Sequence, residues 1–154
     1  MTDDRPRDLR ISPIRHGTVI DHITAGQALN VLRILGITGT TAESVSVATN
    51  VASSHVGKKD IVKIENRELR KEEVDRIALI APNATINIIR EFAVTEKKGV
   101  ETPAEISGVV RCPNPGCISN TAEPARSRFI VTQNGLRCHY CDWLVTKEIA
   151  EHIL

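Results

Sequence analysis

The residues with the most chemical meaning lie between Arg111 and Trp143. There Arg-Cys-Pro-Asn-Pro-Gly-Cys at 111–117 is followed, twenty residues on, by Cys-His-Tyr-Cys at 138–141. All four cysteines of the chain are here: Cys112, Cys117, Cys138 and Cys141. Two thiolates on one tight turn grip an ion from one side, and a second such knuckle completes a tetrahedron, the spacing of a closed all-thiolate zinc site. A catalytic zinc keeps one position open for water and four thiolates leave none, so the expected ion is a structural clamp. Pro113, Pro115 and Gly116 sharpen the first knuckle, because proline fixes φ and glycine allows positive φ. Two disulfides, or four unrelated buried thiols, are the competing readings. Disulfides suit exported chains, and Met1 to Arg15 carries Asp3, Asp4, Arg5, Arg7, Asp8 and Arg10 where an export signal needs an apolar stretch. A cytoplasmic compartment and zinc are therefore expected. His139 and His152 are spare ligands in sequence, but with four thiolates in place His139 is expected to face outward.

Something must hold these knuckles in place, and composition narrows what it is. The chain has 154 residues, and cysteines confined to its last third favour two domains, 1–100 and 101–154. The second is too short to bury much core, so a metal crosslink there makes physical sense. The first hundred residues must fold on apolar burial alone. With 41% apolar residues and only 3% aromatic, their core is built from Ile, Val, Leu and Ala. The longest apolar run, Ile77 to Ala81, is far below the roughly twenty residues of a membrane span. Residues 101–154 carry five basic and six acidic side chains, a net −1 that disfavours nucleic acid as the partner of a zinc ribbon.

The apolar patterning gives the order of elements. Residues 1–10 read as a charged arm without periodicity. Gly17 to Ile23 is β-branched and extended. Thr24 then caps a helix with Ala25, Ala28, Leu29, Leu32 and Leu35 at helical spacing, stopped at Gly36. Ser44 to Val51 alternates as a strand, Ala52 to Gly57 is a loop, and Lys59 to Glu65 is a third strand that pairs back antiparallel. Leu69 to Ala81 is a helix ended by Pro82 and Asn83, and Thr85 to Val94 is a final strand. The order β-α-β-β-α-β predicts a ferredoxin-like α+β sandwich, one sheet face covered by two helices. Lys97, Lys98, Gly99 and Glu101 to Ala104 read as the boundary. A small all-β, zinc-ribbon-like domain follows, with Arg128 to Gln133 as a strand, Asn134-Gly135 as a two-residue hairpin turn, Trp143, Leu144 and Val145 against the metal, and a last helical turn within 147–154.

A few polar residues on these strands could form a second site. Asp21 and His22 interrupt an apolar strand, where each is costly unless paired or wet. Alternation aims successive strand residues at opposite faces, which argues against a catalytic dyad and leaves a solvated edge as the plainer reading. Lys59 and Lys63 share one strand face roughly 13 Å apart, at about 3.3 Å per residue, within reach of one polyphosphate. Lys97 and Lys98 could close the set, although each lysine alone reads as a surface residue. Asn87, between Ile86 and Ile88, offers an amide suited to a nucleobase edge, or else a strand residue facing water. No phosphate loop, nucleophile elbow or His/carboxylate cluster is present, so catalysis has no visible home.

On four strings in the same order the chain resembles the regulatory chains of aspartate carbamoyltransferase. They are Arg15 to Ile23, Gly57 to Asn66, Ala81 to Asn87, and Cys112-Pro113-Asn114 through Cys117-Ile118-Ser119 with Cys138 and Cys141. The resemblance implies a noncatalytic subunit with an N-terminal nucleotide-binding domain and a C-terminal four-cysteine zinc domain. It implies that ATP and CTP compete for one pocket at Ile11, Ile14, Val19, Asp21, His22, Lys59, Lys63, Asn87, Phe92, Val94 and Lys97. Lys97 would meet phosphates, Lys63 the ribose and nearby phosphate, and Asp21 with His22 the sugar and phosphate region. Backbone near Ile14 and at Asn87 to Ile89 would read the base. The zinc domain would dock on the catalytic chain, and paired regulatory chains would link catalytic trimers into a 6+6 dodecamer that serves pyrimidine biosynthesis. The chain departs from the pattern at Thr24, where proline is frequent, at Phe92, where tyrosine is common, at His55-Val56 before the Gly57 turn, and at Pro115-Gly116 in the first knuckle.

Overall fold

The computed structural model describes residues 14–37, 39, 42–53, 57–121 and 125–154; the arm read over 1–10 and the candidate Ile11 lie outside them. The first sheet has five strands: β1 (Gly17–Thr24), β2 (Val45–Ser53), β3 (Gly57–Glu65), β4 (Thr85–Arg90) and β5 (Ala93–Gly99). Helices α1 (Ala28–Ile34) and α2 (Lys71–Ile80) fall after β1 and β3. The strand order is β2-β3-β1-β4-β5, every neighbouring pair antiparallel. The first four strands and two helices form the expected βαββαβ sandwich, and β5 extends it by one edge.

One face of this sheet is apolar because the alternation of its strands aims Ile20, Ile23, Val62, Ile64 and Ile86 at Val31, Leu35, Ile77 and Ala81 of the helical layer. Burying each such branched side chain contributes about 1.5–3 kcal/mol relative to exposure. Leu29 does not belong to this face; it is 72% exposed. The start of α1 also differs from the expectation. Thr24 does not cap it by its side chain; the helix begins at Ala28, and the carboxylate of Asp60, from β3, accepts the N–H groups of Gly26 and Ala28 at 2.9 and 3.0 Å. A buried acceptor with no water to compete for outdoes a local hydroxyl. At α2, Glu73 folds back to accept the Arg70 N–H at 3.0 Å and pairs with Arg67, the carboxylate half of a capping box; the Arg70 side chain has no acceptor with which to return it.

Thr85 to Val94 is not one strand. Arg90 pairs with Ala93 across a two-residue turn in which Glu91 and Phe92 have φ of 48° and 65°, the type I′ conformation that matches strand twist. The turn is held from outside: Arg15 pairs with Glu91 at 3.2 Å, and the Phe92 N–H donates to the Arg15 carbonyl at 3.0 Å. Lys97, Lys98 and Gly99 therefore belong to β5 and not to a linker.

The second sheet is β6 (Glu105–Ser107), β7 (Arg128–Thr132), β8 (Gly135–Cys138) and β9 (Leu144–Val145), in that spatial order. Ile106, Val110, Phe129, Leu136 and Val145 form its core with three of the cysteines. Thr132 pairs with Gly135, so the hairpin turns at Gln133-Asn134, one residue earlier than expected. Gly135 is needed in the strand itself: its φ is 137°, and a Cβ there would collide with the Val145 carbonyl. A 3₁₀ turn at Ile149–His152 ends the chain against both cores. Its Ala150 packs into the first core, while Leu79 of α2 packs into the second. Among the described residues no helix is long and apolar enough to cross a membrane.

Candidate metal centre and effector face

The β7–β8 hairpin delivers Cys138 at its end, and the tight turn after it returns Cys141. The Cys112–Cys117 turn closes from the other side. All four Sγ atoms lie within 4.8 Å of one another. Cys112 and Cys141 are 3.6 Å apart and Cys117 and Cys138 3.7 Å. An ion about 2.3 Å from four sulfurs, the zinc–thiolate length, spaces them by about 3.8 Å, whereas a disulfide needs about 2.05 Å. The four thiols are free, and their geometry fits one tetrahedral ion.

The first knuckle is braced by residues that the cysteine spacing does not reveal. Asn120 donates to the carbonyls of Cys112 and Asn114, both at 2.8 Å, and the Asn114 side chain accepts from Gly116 at 3.0 Å. The Cys117 N–H reaches the Asn114 carbonyl at 3.0 Å. Backbone N–H groups of Tyr140 and Cys141 point at the Cys138 sulfur, but burial and the neighbouring thiols push its pKa up. Burial likewise pushes Cys112 up. Burial raises Cys141 too, but the Trp143 N–H, Asn114 and the thiols of Cys112 and Cys138 outweigh it and bring Cys141 down to about 7. Such a cluster sheds its protons when a cation replaces them. His139 is exposed and outside the cluster. Of the three residues expected to pack on the metal, Val145 alone is buried; Trp143 and Leu144 are 46% and 43% exposed, with Trp143 joined to the knuckle through its backbone.

The sheet face turned away from the helices holds most of the remaining candidates. Antiparallel register places directly paired residues on the same face. Lys63 pairs with Val19, Val19 with Asn87, and Asn87 with Lys97, so these four form one rank across β3, β1, β4 and β5. The Asn87 amide donates to the Val19 carbonyl at 3.2 Å. Lys98 pairs with Ile86 and so belongs to the opposite, helix-side face, not to this rank. Burial holds the Lys63 ammonium below its ordinary pKa.

Next to the rank, β1 bulges at Asp21 and His22, where the register with β3 shifts and His22 has φ of 56°. Strict alternation therefore fails here, and the two side chains are not forced apart as expected. The Asp21 carboxylate accepts the His22 N–H at 2.6 Å and pairs with Lys59 at 2.9 Å; His22 Nδ1 is 3.2 Å from Thr85 Oγ1. Burial raises the Asp21 pKa, but Lys59 and His22 outweigh it and the net shift is downward. Ile14 is buried beside Gly17, while Phe92 and Val94, at the β4–β5 turn, are 65% and 57% exposed.

These features define a class: an α+β chain that joins a polar-faced antiparallel sheet to a small domain gathered round four metal-binding thiols. Residues 9–101 match the family model described as aspartate carbamoyltransferase regulatory chain, allosteric domain, and residues 104–151 match the model of the metal binding domain of the same chain. The chain belongs to the family of aspartate carbamoyltransferase regulatory chains, which are noncatalytic subunits. Among curated relatives of that name, the protein of Methanosphaerula palustris is 70% identical, with all of both chains covered. That of Methanoculleus marisnigri is 70% identical over 98% of this chain and 97% of its own. That of Methanococcoides burtonii is 57% identical over 99% and 98%.

Proposed function

We propose that the chain is the effector-sensing, assembly-forming subunit of an aspartate carbamoyltransferase, divided into a sensing unit at 1–100 and a docking unit at 101–154. The open sheet face takes ATP or CTP in competition. Lys97 and Lys63 meet the phosphates and ribose from the two ends of one rank, and Asp21, His22 and Lys59 engage the sugar and phosphate region. Asn87 and the backbone of Ile14 and Ile89 read the base edge. Val19 lies between the two lysines, and Phe92 and Val94 supply apolar cover. The observation that carries this reading is the rank Lys63-Val19-Asn87-Lys97, which gathers residues from four strands into one line on the sheet face turned away from the helices.

In the docking unit Cys112, Cys117, Cys138 and Cys141 hold one structural zinc ion. Four thiolates leave no place for a substrate or water, so the ion shapes the surface that meets the catalytic chain. The exposed Ile118, Tyr140, Trp143 and Leu144 give that surface its apolar anchors. Paired regulatory chains then link catalytic trimers into a 6+6 dodecamer in the cytoplasm, within pyrimidine biosynthesis. Effectors act by binding the two quaternary states with different affinity. The test is co-purification with the catalytic chain, followed by activity with and without CTP. A complex that assembles and responds to CTP supports the reading. A complex that assembles yet ignores both nucleotides contradicts it.

A further inference from the structure

Asp60 is fully buried and faces the helices, away from the effector face, yet two irregularities of the sheet converge on it. In β1 the pairing jumps from Ile20 opposite Val62 to Ile23 opposite Asp60, which leaves Asp21 and His22 to share the space across from Ile61. In β2 it jumps from Ala48 opposite Ile61 to Val51 opposite Lys59, which leaves Thr49 and Asn50 across from Asp60. Each bulge contains one non-glycine residue in the left-handed region, His22 at 56° and Asn50 at 54°, a conformation L residues adopt only when something holds them there.

The Asp60 carboxylate holds the β2 bulge directly, while in the β1 bulge the His22 N–H is taken by the Asp21 carboxylate at 2.6 Å. A bulged residue loses its ladder partner, and the Asn50 N–H goes instead to Asp60 Oδ1 at 2.7 Å. The other oxygen takes the N–H groups of Gly26 and Ala28 at 2.9 and 3.0 Å, on the segment through which β1 leaves its own bulge for α1. One carboxylate thus ties the β2 bulge and the turn that leads from β1 into α1 to β3. Its chain neighbour Lys59 points to the opposite face, where it meets Asp21 at 2.9 Å.

We propose that Asp60 is the positioning residue of the effector face: by fixing the β2 bulge and the turn just after the β1 bulge it sets Asp21, His22 and Lys59 in the arrangement that receives the sugar and phosphates of a nucleoside triphosphate. The inference rests on the effector-face reading above. Without the carboxylate, the sheet is free to slide there, and a slip of one residue turns a side chain to the other face of a sheet.

The test is Asp60→Asn in the full chain, which keeps the volume but sets an amide NH₂ against backbone donors. Three readouts apply. CTP affinity, measured by calorimetry at a temperature where the variant is fully folded, falls about tenfold, as expected if the shifted bulge takes one nucleotide contact of Asp21, His22 or Lys59 out of place. The Asp21 carboxyl, followed by NMR titration, moves up toward its ordinary value, while Glu73, paired with Arg67 away from the bulges, does not move. In the unmodified chain, exchange of the Asn50, Gly26 and Ala28 amides is slow and of similar protection, a readout independent of whether the variant folds. A merely structural role lowers the melting temperature and leaves CTP affinity and the Asp21 titration as they were; that result overturns the proposal, as does rapid exchange at Asn50 in the unmodified chain. Failure of the unmodified chain to bind CTP at all refutes the effector-face reading instead, and the titration and exchange results still decide whether Asp60 fixes the β2 bulge and that turn.

Discussion

Replacing Lys63 by methionine separates binding from stability more cleanly than any other change on the effector face. Methionine keeps the length and apolar stem of the side chain and removes only its charge. Losing one charge-assisted contact to a phosphate costs about 1.5–3 kcal/mol, and each 1.4 kcal/mol is about tenfold in affinity. Lys63 is only half-buried, so the lower end applies and CTP binding should weaken about 10- to 30-fold. Stability should respond differently. Burial lowers the Lys63 pKa from its ordinary 10.5, so its charged form is less favourable in the folded chain than in the unfolded one. That penalty is fully present at neutral pH and is relieved only as pH rises toward and past 10.5. Removing the charge lifts that penalty but also gives up the ammonium's contact within the fold, and with the two effects opposed folding stability should change by less than about 1 kcal/mol. Isothermal titration with CTP and a denaturant melt, run side by side, read the two effects. A variant that is clearly destabilised yet binds CTP as before would show that Lys63 serves the fold and not the effector.

Three further outcomes follow from the geometry. Asn120→Ala removes both donors that brace the Cys112 knuckle, and metal affinity, read by competition with a colorimetric chelator, should fall about 10- to 100-fold, as for other groups that orient metal ligands. Gly135→Ala drives a Cβ into the Val145 carbonyl at a φ of 137°; it should separate β8 from β9, speed metal release and lower the metal-domain melting point, with β1–β5 still folded by amide exchange. The Asp21 and Glu73 carboxyls both titrate below their ordinary values of 3.8 and 4.5. Each therefore adds stability that is fully present above those values and is lost as pH falls through the lower folded values. Acid melts should steepen below about pH 4.5, and Glu73→Gln should flatten that limb.

The parts of the fold readable in the sequence are those set by local spacing. The paired cysteines, the apolar alternation of Gly17 to Ile23 and Lys59 to Glu65, and the helical stripe ending at Ala81 each lie within a few residues of what they specify. The parts that differ are set from a distance or by residues that break the usual turn code. Glu91-Phe92 makes a left-handed two-residue turn without glycine or asparagine, so nothing marked the break between β4 and β5, and the charges of Lys97 and Lys98 suggested a linker. The start of α1 is chosen by Asp60, more than thirty residues away, and not by the nearby Thr24. A period-two reading aims Asp21 and His22 at opposite faces because the bulge that contains them is invisible to it. At the effector face the lysines and Asn87 were identifiable one by one; only register shows that Lys63, Val19, Asn87 and Lys97 stand in one line.

The account rests on a four-thiolate ion shaping the surface by which this chain joins its enzyme. Size-exclusion chromatography of the chain mixed with aspartate carbamoyltransferase catalytic trimers, before and after complete chelation of the metal, tests that directly. A zinc-containing high-mass complex that separates into free chain and trimers on metal loss, with β1–β5 still folded, is the predicted result. No complex with the metal-loaded chain, or a complex that survives full metal removal, would contradict it.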